Sequence, residues 1–339
     1  MTERIDISIC GTVYNNVRTV KRSILSVVKA LEGLNYEIVI VDNYSDDGTY
    51  EVLLDLQKEL SEKGIRMKVV RREPPSMVRL FDMHCRGKGR QLAYKLSRGQ
   101  YILCVDLDTI YYPEKLRQFI TSYFRSSLRE RKAVFTQLVP CIIPRYLLRT
   151  LGGWASLLAY ENAELISRLA LFDAVAFLPV NLGIEEEVHG DREKRYAKST
   201  IVYLLRVFRR RLDNEYSSGY TLKQLITLRY YLYRRKLGVI GSLGSILLIM
   251  FFKVINLVRG LRRYPFNQKL KGLPPYLYAS YVSLKNIINP LDWGFRYEDI
   301  EAIRLNLKHL ALIAYYYPDV INVIKRLHRE FKDKMIITY

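Results

Sequence analysis

Four short strand-like runs, three of them apolar and the third in order mixed with basic residues, alternate with amphipathic stretches over the first 110 residues of the 339-residue chain. The runs are IDISICGTVY, YEIVIVDN, IRMKVVRRE and QYILCVDLD. Between them apolar residues recur at helical spacing, as Val20, Ile24, Val27 and Leu31 do. Near-continuous apolar runs are typical of buried parallel strands, and strand–helix repetition joins such strands by right-handed crossovers. The sequence therefore predicts an α/β protein with a doubly wound, mostly parallel sheet.

Polar residues follow three of these runs, at the points where the predicted strands end. Ligands of such sheets bind beyond the carboxyl ends of the strands. The residues are Thr12, Tyr14 and Asn15 after the first run, Asp42 to Asp47 after the second, and Asp106 and Asp108 after the fourth. Their convergence on one edge of the sheet predicts a binding site there.

Asp106 and Asp108 stand one residue apart in YILCVDLDTIYYP. In an extended segment the side chains at i and i+2 point the same way, so both carboxylates would face one cation. Carboxylate oxygens suit Mg²⁺ or Mn²⁺, which bridge to the phosphates of a substrate. The alternative is a buried strand that merely ends in two acids.

The charge balance indicates an anionic partner. The chain has 54 Lys and Arg against 34 Asp and Glu, a net charge of +20, which favours a nucleotide, a nucleic acid or an anionic membrane face. Arg90 begins the third helical stretch, where a cation would bind a pyrophosphate; the alternative is a solvated surface charge.

Four separated cysteines without a CxxC pair argue against a disulfide framework or a zinc site, and favour a reducing cytoplasm. Cys10 and Cys104 lie in the predicted strands, where we expect buried thiols. The N-terminal MTERIDISIC has no apolar signal-peptide core.

Several segments resemble, in the same order, the motifs of family 2 glycosyltransferases. They are TVYNNVRTVKRSILSV, EIVIVDNYSDDGTYEVL, GKGRQLAYKLSRGQYILCVDLDTIYYPEKL and LGGWASLLAYENAELISRL, and the resemblance covers about residues 5–200. It implies a GT-A fold, a nucleotide-diphosphate sugar donor, a divalent metal and inversion at the anomeric carbon. By position it implies nucleotide contacts at Thr12, Tyr14, Asn15 and Asp42, with the adjacent Asn43. Asp106 and Asp108 match the D-x-D pair, the first nearer the ribose or sugar and the second on the metal.

The sequence departs from this resemblance where the acceptor base is expected. That base belongs to an E-D pair after the GGW loop, and the matching residues are Glu161 and Asn162, whose amide cannot take a proton. Either Glu161 is the base, or Glu164 on the same helical face is, or catalysis is weak or altered. The alternative is that all three side chains face solvent. We favour Glu161.

A weaker similarity lies in REKRY, residues 192–196. It resembles the Q-x-x-R-W signature of processive members, but two of the three defining residues differ, so processive synthesis is not supported. Arg192 and Arg195 are expected to clamp a diphosphate. His189 either completes the metal site or is a surface histidine.

After about residue 200 the pattern changes to basic helices, so we predict a catalytic domain at 1–200 and a helical region at 201–339. Residues 237–252 contain no charge, and with Val254 to Val258 they form a candidate membrane-associated segment, 237–258. The uncharged run is shorter than the ~20 residues of a spanning helix. Its basic flanks favour attachment to an anionic cytoplasmic surface; a buried helix and a full span are the alternatives.

The predicted function is that of a cytoplasmic, peripherally membrane-associated enzyme, which moves one sugar to a lipid-linked or glycan acceptor and binds no nucleic acid. A sugar nucleotidyltransferase is one alternative, but CGTVYNNVRTV lacks the glycine-rich, lysine-containing loop that such enzymes place after the first strand. A nucleic-acid-binding protein would use the basic helices, which show no nucleic-acid motif. A degenerate transferase would bind its donor without turnover.

Overall fold

The computed structural model describes residues 5–72, 85–136, 138–185, 200–221 and 270–338, and some positions between 223 and 255. The first elements are β1 (Ile7–Val13), α1 (Val20–Ala30), β2 (Tyr36–Asp42), α2 (Thr49–Glu62), β3 (Arg66–Arg71), α3 (Arg86–Leu96), β4 (Tyr101–Asp106), β5 (Thr109–Tyr111) and α4 (Pro113–Arg125). There follow β6 (Ala133–Phe135), β7 (Cys141–Pro144), α5 (Arg145–Leu151), α6 (Glu161–Leu171), β8 (Val175–Phe177), β9 (Gly183–Glu185) and α7 (Thr200–Ser218). The last elements are α8 (Pro275–Lys285), β10 (Ile303–Asn306), α9 (Leu307–Tyr316), α10 (Val320–Phe331) and β11 (Met335–Thr338).

The central sheet has seven strands in the order β3-β2-β1-β4-β7-β6-β8. The first four are parallel, β7 runs antiparallel between β4 and β6, and β8 is parallel to β6. In the register, Thr12 of β1 lies between Val41 of β2 and Asp106 of β4. The predicted sheet class is confirmed, and the ends of the first, second and fourth runs lie side by side.

Helices cover both faces of this sheet because successive strand residues point to opposite sides. In β2, Ile38 and Ile40 join the apolar cluster formed with α1, α2 and α4. Val39 and Val41 join the opposite cluster, to which α3, α5 and α6 contribute. A sheet with a helical layer on each face is the doubly wound arrangement that the sequence predicts.

The C-terminal region packs against the second face of the sheet. Leu277 of α8, Ile313 of α9 and Phe331 of α10 are buried in the same cluster as α6. Two short parallel strands, β10 and β11, flank α9 and α10, and the prediction of a mostly helical region did not include them. The boundary near residue 200 stays a prediction, since residues 186–199 lie outside the described residues.

Only some positions of the predicted segment 237–258 belong to the described part of the chain, and these positions are helical. Among the residues that the structure describes, no helix has the length and apolar character needed to cross a membrane.

Candidate active site

The loop after β1 is bonded to the loop after β2 at the carboxyl edge of the sheet. Asn15, at a φ of 47°, donates through its backbone to Ser45 Oγ at 2.9 Å and through Nδ2 to Asp46 Oδ1 at 2.8 Å. The Asp46 N–H donates in return to Asn15 Oδ1 at 3.0 Å. The predicted nucleotide residue Asn15 therefore holds two loops in place with its own amide.

Thr12 and Asn43 are paired at the same edge. Asn43 Nδ2 donates to Thr12 Oγ1 at 2.6 Å, and Arg72 Nε donates to Asn43 Oδ1 at 2.8 Å. Helix α3 lies against this pair, because a Cβ on Gly89 would stand 2.1 Å from Thr12 Oγ1. Glycine is thus required for α3 to approach the end of β1 so closely.

Asp42 is fully buried at the end of β2. Its carboxylate accepts hydrogen bonds from the backbone N–H of Ser45, at 3.0 Å, and from the Ser45 hydroxyl, and it faces Arg71 Nε at 3.6 Å. Burial raises the pKa of Asp42, while the Ser45 bonds and Arg71 oppose that rise. A nucleotide could reach this carboxylate only if its surroundings moved. Tyr14 lies half-buried at the same edge, and its predicted contact with a nucleotide is untested.

The two predicted metal ligands flank a turn. Asp106 is the last residue of β4, and Leu107 and Asp108 form a turn rather than the extended segment that the sequence suggested. Leu107 is buried in the core, while both aspartates stay partly exposed at the edge. The apolar residue between them therefore anchors the turn.

Two further side chains fix this turn. Asn16 Nδ2 donates to the Leu107 carbonyl at 2.6 Å. The Tyr111 hydroxyl accepts from the Asp106 N–H at 2.9 Å and donates to the Asp106 carbonyl at 3.1 Å. Neither residue was among the predicted site residues. For Asn16, its position next to the predicted site residue Asn15 after β1 was a signal that could have been used. For Tyr111, the sequence pattern offered no such signal.

Arg90 connects the D-x-D turn to helix α6. Its Nη2 donates to Asp106 Oδ1 at 2.6 Å, its Nε lies 3.3 Å from Glu161 Oε1, and its Nη1 donates to Cys104 Sγ at 2.7 Å. The side chain is only 2% exposed, so the alternative of a solvated surface charge is wrong. The guanidinium lies between a predicted metal ligand and the predicted base.

The thiol that Arg90 contacts, Cys104, belongs to a row of three cysteines across the sheet. Cys10 in β1 is in register with Cys104 in β4, which faces Cys141 in β7. These thiols are free and buried in one apolar cluster, as predicted for Cys10 and Cys104. The small side chains leave room for the guanidinium above the sheet.

Glu161 is the first residue of α6, and its side chain is buried. Arg90 and Arg86 face its Oε1 at 3.3 and 3.7 Å. Its Oε2 is buried and has no hydrogen-bond partner among the described residues. The backbone turns into the helix at Tyr160, which has a φ of 65°. The two oxygens of this carboxylate therefore differ: Oε1 faces two cations, and Oε2 accepts no hydrogen bond from the described residues.

Asn162 joins two loops instead of facing solvent. Its Oδ1 accepts from Trp154 Nε1 at 2.9 Å, and its Nδ2 donates to the Leu138 carbonyl at 3.4 Å. An aspartate could make only the first of these bonds, because an ionised carboxylate has no donor. These two bonds explain why residue 162 is an asparagine rather than an aspartate.

Glu164 is engaged by Arg168, one turn further along α6. The two carboxylate oxygens bond to Arg168 Nε at 2.7 Å and Nη2 at 2.5 Å. Arg168 also donates to the carbonyls of Leu151 and Gly153, so the pair fastens the GGW loop to α6. Burial raises the pKa of Glu164 against the influence of Arg168. Glu161, Asn162 and Glu164 are all buried, so the solvent-facing alternative is wrong for this helix.

The structure thus joins Asp106 and Glu161 through Arg90, whereas Glu164 is paired with Arg168. Arg192, Arg195 and His189 lie outside the described residues, and their predicted roles are untested.

The described residues contain no group of three or more His, Cys, Asp and Glu side chains that could hold a metal alone. Asp106 and Asp108 supply two partly exposed carboxylates. Such a pair fits a hard cation that takes its remaining ligands from substrate phosphates and water, as Mg²⁺ and Mn²⁺ commonly do.

Comparison with known proteins adds one family match: residues 8–126 match the family described as Glycosyl transferase family 2. Among solved structures, the mannosyltransferase PcManGT from Pyrobaculum calidifontis, in complex with GDP-Man and Mn²⁺, is 12% identical, with 84% of this chain and 88% of that chain covered and a TM-score of 0.45. TarS 1-349 from S. aureus, in complex with UDP, is 14% identical over 97% of this chain and 92% of that chain, with a TM-score of 0.45. Glucosyl-3-phosphoglycerate synthase from Mycobacterium tuberculosis, in complex with Mn²⁺, UDP and glucosyl-3-phosphoglycerate, is 17% identical over 60% and 79%, with a TM-score of 0.42.

Proposed function

We propose that this chain, whose residues 8–126 match Glycosyl transferase family 2 and whose central sheet is of the predicted doubly wound class, moves one sugar from a nucleotide-diphosphate sugar to a hydroxyl group of an acceptor. The acceptor oxygen attacks the anomeric carbon while its proton passes to Glu161. The bond from that carbon to the diphosphate breaks, and its electron pair leaves on the diphosphate oxygen. A single displacement of this kind inverts the anomeric centre.

The buried carboxylate of Glu161 carries this proposal. Its Oε1 faces Arg90, and its buried Oε2 accepts no hydrogen bond from the residues that the structure describes, which is the state expected of a base that receives the proton of an acceptor hydroxyl. Arg90 ties the same carboxylate to Asp106, so the base has a defined place relative to the donor edge. Glu164 would have to release Arg168 before it could act, so we assign the base to Glu161.

Asp106 and Asp108 are the residues that would hold Mg²⁺ or Mn²⁺. When bound, such an ion acts as a Lewis acid that neutralises charge on the leaving diphosphate. The protein's own part is to fix the turn that carries the two carboxylates, through Asn16 and Tyr111, and to hold the Asp106 carboxylate through Arg90.

A thermal-shift panel of nucleotide sugars, with and without Mn²⁺ or Mg²⁺, tests donor binding. A donor that binds the folded state raises the unfolding temperature, and Asp108→Ala should abolish the metal-dependent part of that rise. Asp173→Ala is the matched control, because this 61% exposed carboxylate precedes β8 and lies at the opposite edge of the sheet. Equal responses of the two variants would contradict the metal assignment. Salt-dependent binding of random oligonucleotides without any donor response would favour the nucleic-acid alternative.

Turnover of the donor identified in this way tests the base. Glu161→Gln should lower transfer by at least about 100-fold while metal-dependent donor binding remains. A Glu161→Gln variant as active as the wild type would refute the assignment of the base. Metal-dependent donor binding without turnover, tried with membrane and cell extracts as acceptors, would instead indicate a degenerate transferase.

We further propose that the acceptor is lipid-linked or a glycan and that the protein works at an anionic, cytoplasmic membrane face. The supporting observation is a set of apolar side chains, each 42–67% exposed, at described helical positions: Leu243, Leu247, Met250, Phe251 and Val254. At about 100° per residue they fall within one arc of about 100°. Residues 190–236 carry 13 Lys and Arg against 4 Asp and Glu, a charge that complements anionic lipid.

Sedimentation with lipid vesicles tests this attachment. The wild type should bind vesicles that contain phosphatidylglycerol better than vesicles of phosphatidylcholine alone, and Leu247→Asp should weaken that binding. Ile321→Asp is the matched control, since Ile321 is 50% exposed on α10, away from the stripe. Equal binding of both vesicle types, or equal losses in both variants, would contradict a specific membrane face.

A further inference from the structure

Residues 157–159 lead directly into the helix that carries Glu161. The Leu157 carbonyl accepts from the Gly87 N–H at 2.9 Å and from Cys85 Sγ at 3.2 Å, both at the start of α3. A Cβ on Gly87 would lie 2.0 Å from the Ala155 carbonyl, so α3 approaches this segment as closely as a glycine allows. One side of the segment is thus bonded to the helix that also carries Arg90.

The other side is bonded to α7, beyond the sheet and beyond the part of the chain that matches the family. The Asp213 carboxylate is fully buried, and its Oδ2 accepts from the Leu158 N–H at 2.5 Å and the Ala159 N–H at 3.4 Å. Arg209, one turn earlier, places Nη2 3.9 Å from Cys85 Sγ. A carboxylate that accepts from backbone N–H groups in a water-excluded place makes strong, directional bonds.

We propose that Asp213 is a positioning residue for the base, an inference that rests on the proposed function. Ala159 is separated from Glu161 only by Tyr160, so the backbone that Asp213 holds determines where α6 begins. The start of α6 in turn sets the distance between Glu161 and Arg90. Helix α7 thereby becomes part of the active-site assembly, although it touches neither the D-x-D turn nor the ends of β1 and β2 in the contacts described above.

Asp213→Ala and Asp213→Asn separate positioning from general stability. Asparagine keeps one oxygen that accepts from the Leu158 and Ala159 N–H groups, whereas alanine keeps none. We expect the kcat of Asp213→Ala to fall roughly 10- to 100-fold, because misplacement of a reacting group by about 1 Å has an effect of this size. The KM for the donor and the metal-dependent thermal shift should stay near wild type, and Asp213→Asn should recover most of the kcat.

Ser217→Ala is the matched control, because Ser217 is also buried on α7 and its hydroxyl bonds to the Asn214 carbonyl within that helix. Its kcat should stay near wild type. Equal losses of kcat in Asp213→Ala and Ser217→Ala, or a parallel loss of donor binding in Asp213→Ala, would overturn the proposal.

Hydrogen exchange provides a readout that does not depend on turnover. In Asp213→Ala the backbone amides of Leu158 and Ala159 should exchange faster than in the wild type and in Asp213→Asn. Unchanged exchange would overturn the positioning contact itself. If exchange responds as expected but the wild type transfers no sugar, the proposed function fails while the contact stands, so the two failures can be told apart.

Discussion

Replacing Arg90 by methionine would keep most of the volume of its aliphatic stem and remove the cation that lies between Asp106 and Glu161. Removing one partner of a buried ion pair costs about 3–5 kcal/mol, because the remaining charge stays desolvated. Glu161 is 3% exposed, but Asp106 is 30% exposed and keeps part of its hydration. We therefore expect a loss near the lower end, about 3 kcal/mol of unfolding free energy.

Glu161→Gln tests whether the two side chains share this energy. Alone it leaves Arg90 paired with Asp106 and should cost about 1–3 kcal/mol. In the double variant residue 161 carries no charge, so the loss of Arg90 no longer leaves a buried carboxylate with only the half-exposed Arg86 beside it. The loss in the double variant should therefore be smaller than the sum of the single losses by at least about 1.5 kcal/mol.

Urea unfolding at equilibrium, followed by tryptophan fluorescence and far-UV circular dichroism, measures these losses, provided that the slope with denaturant is unchanged. The exposed pair of Arg129 and Glu130, at 46% and 74%, is the control, and Arg129→Met with Glu130→Gln should be additive. Additivity within about 0.5 kcal/mol for Arg90 and Glu161 as well would refute their energetic coupling.

Asn162→Asp restores the acid that the family resemblance implies, yet it should not raise the transfer rate. It should lower the unfolding free energy by about 1–2 kcal/mol, because a carboxylate cannot donate to the Leu138 carbonyl as the amide does. A higher kcat would contradict this structural role for the amide. Gly89→Ala should cost about 1–3 kcal/mol of unfolding free energy in the same assay, because its Cβ would collide with Thr12 Oγ1. Gly244→Ala is the matched control, because a Cβ there would meet no described atom within 4 Å. Equal effects of the two substitutions would contradict the close approach of α3 to β1. Burial lowers the pKa of His309 below 6.5, so the unfolded chain binds a proton more readily and stability is lost as the pH falls through and below that value. His309→Gln should flatten this loss in thermal unfolding between about pH 7 and pH 5, and an unchanged slope would contradict it.

The parallel half of the sheet could be predicted because three of its four strands leave near-continuous apolar runs in the sequence, whereas β3, RMKVVR, is half charged. The runs around Ile9, Val39 and Leu103 correspond to β1, β2 and β4. Residues 133–144, AVFTQLVPCIIP, are mostly apolar but form two short strands, β6 and β7, on either side of a loop. Strands of three or four residues, such as β8 and β10, are too short for a period of two to stand out.

The location of the candidate site could be predicted from the sequence, but the contacts between its side chains could be predicted only in part. Parallel strand ends indicated the edge where Thr12 and Asp106 lie, because the topology brings such ends together. The burial of Arg90 could not be predicted from the residues around it in the sequence. It depends on the ion pair with Glu161, which lies 71 positions later in the chain. The role of the Asn162 amide likewise depends on a contact with Trp154 that the sequence does not indicate.

The Cys104 thiol that contacts Arg90 offers a site for chemical labelling in the apolar interior, next to the proposed site. Cys104 is fully buried, so an alkylating reagent can reach it only when the core transiently opens. The alkylated sulfur would occupy the space of the guanidinium and displace it from both carboxylates. The rate of labelling at Cys104 therefore reports how often the core beneath the site opens, and a bound donor that steadies Asp106 would slow that labelling. A modification of the apolar interior would in this way disrupt the contacts of Arg90 with Asp106 and Glu161 at the proposed site.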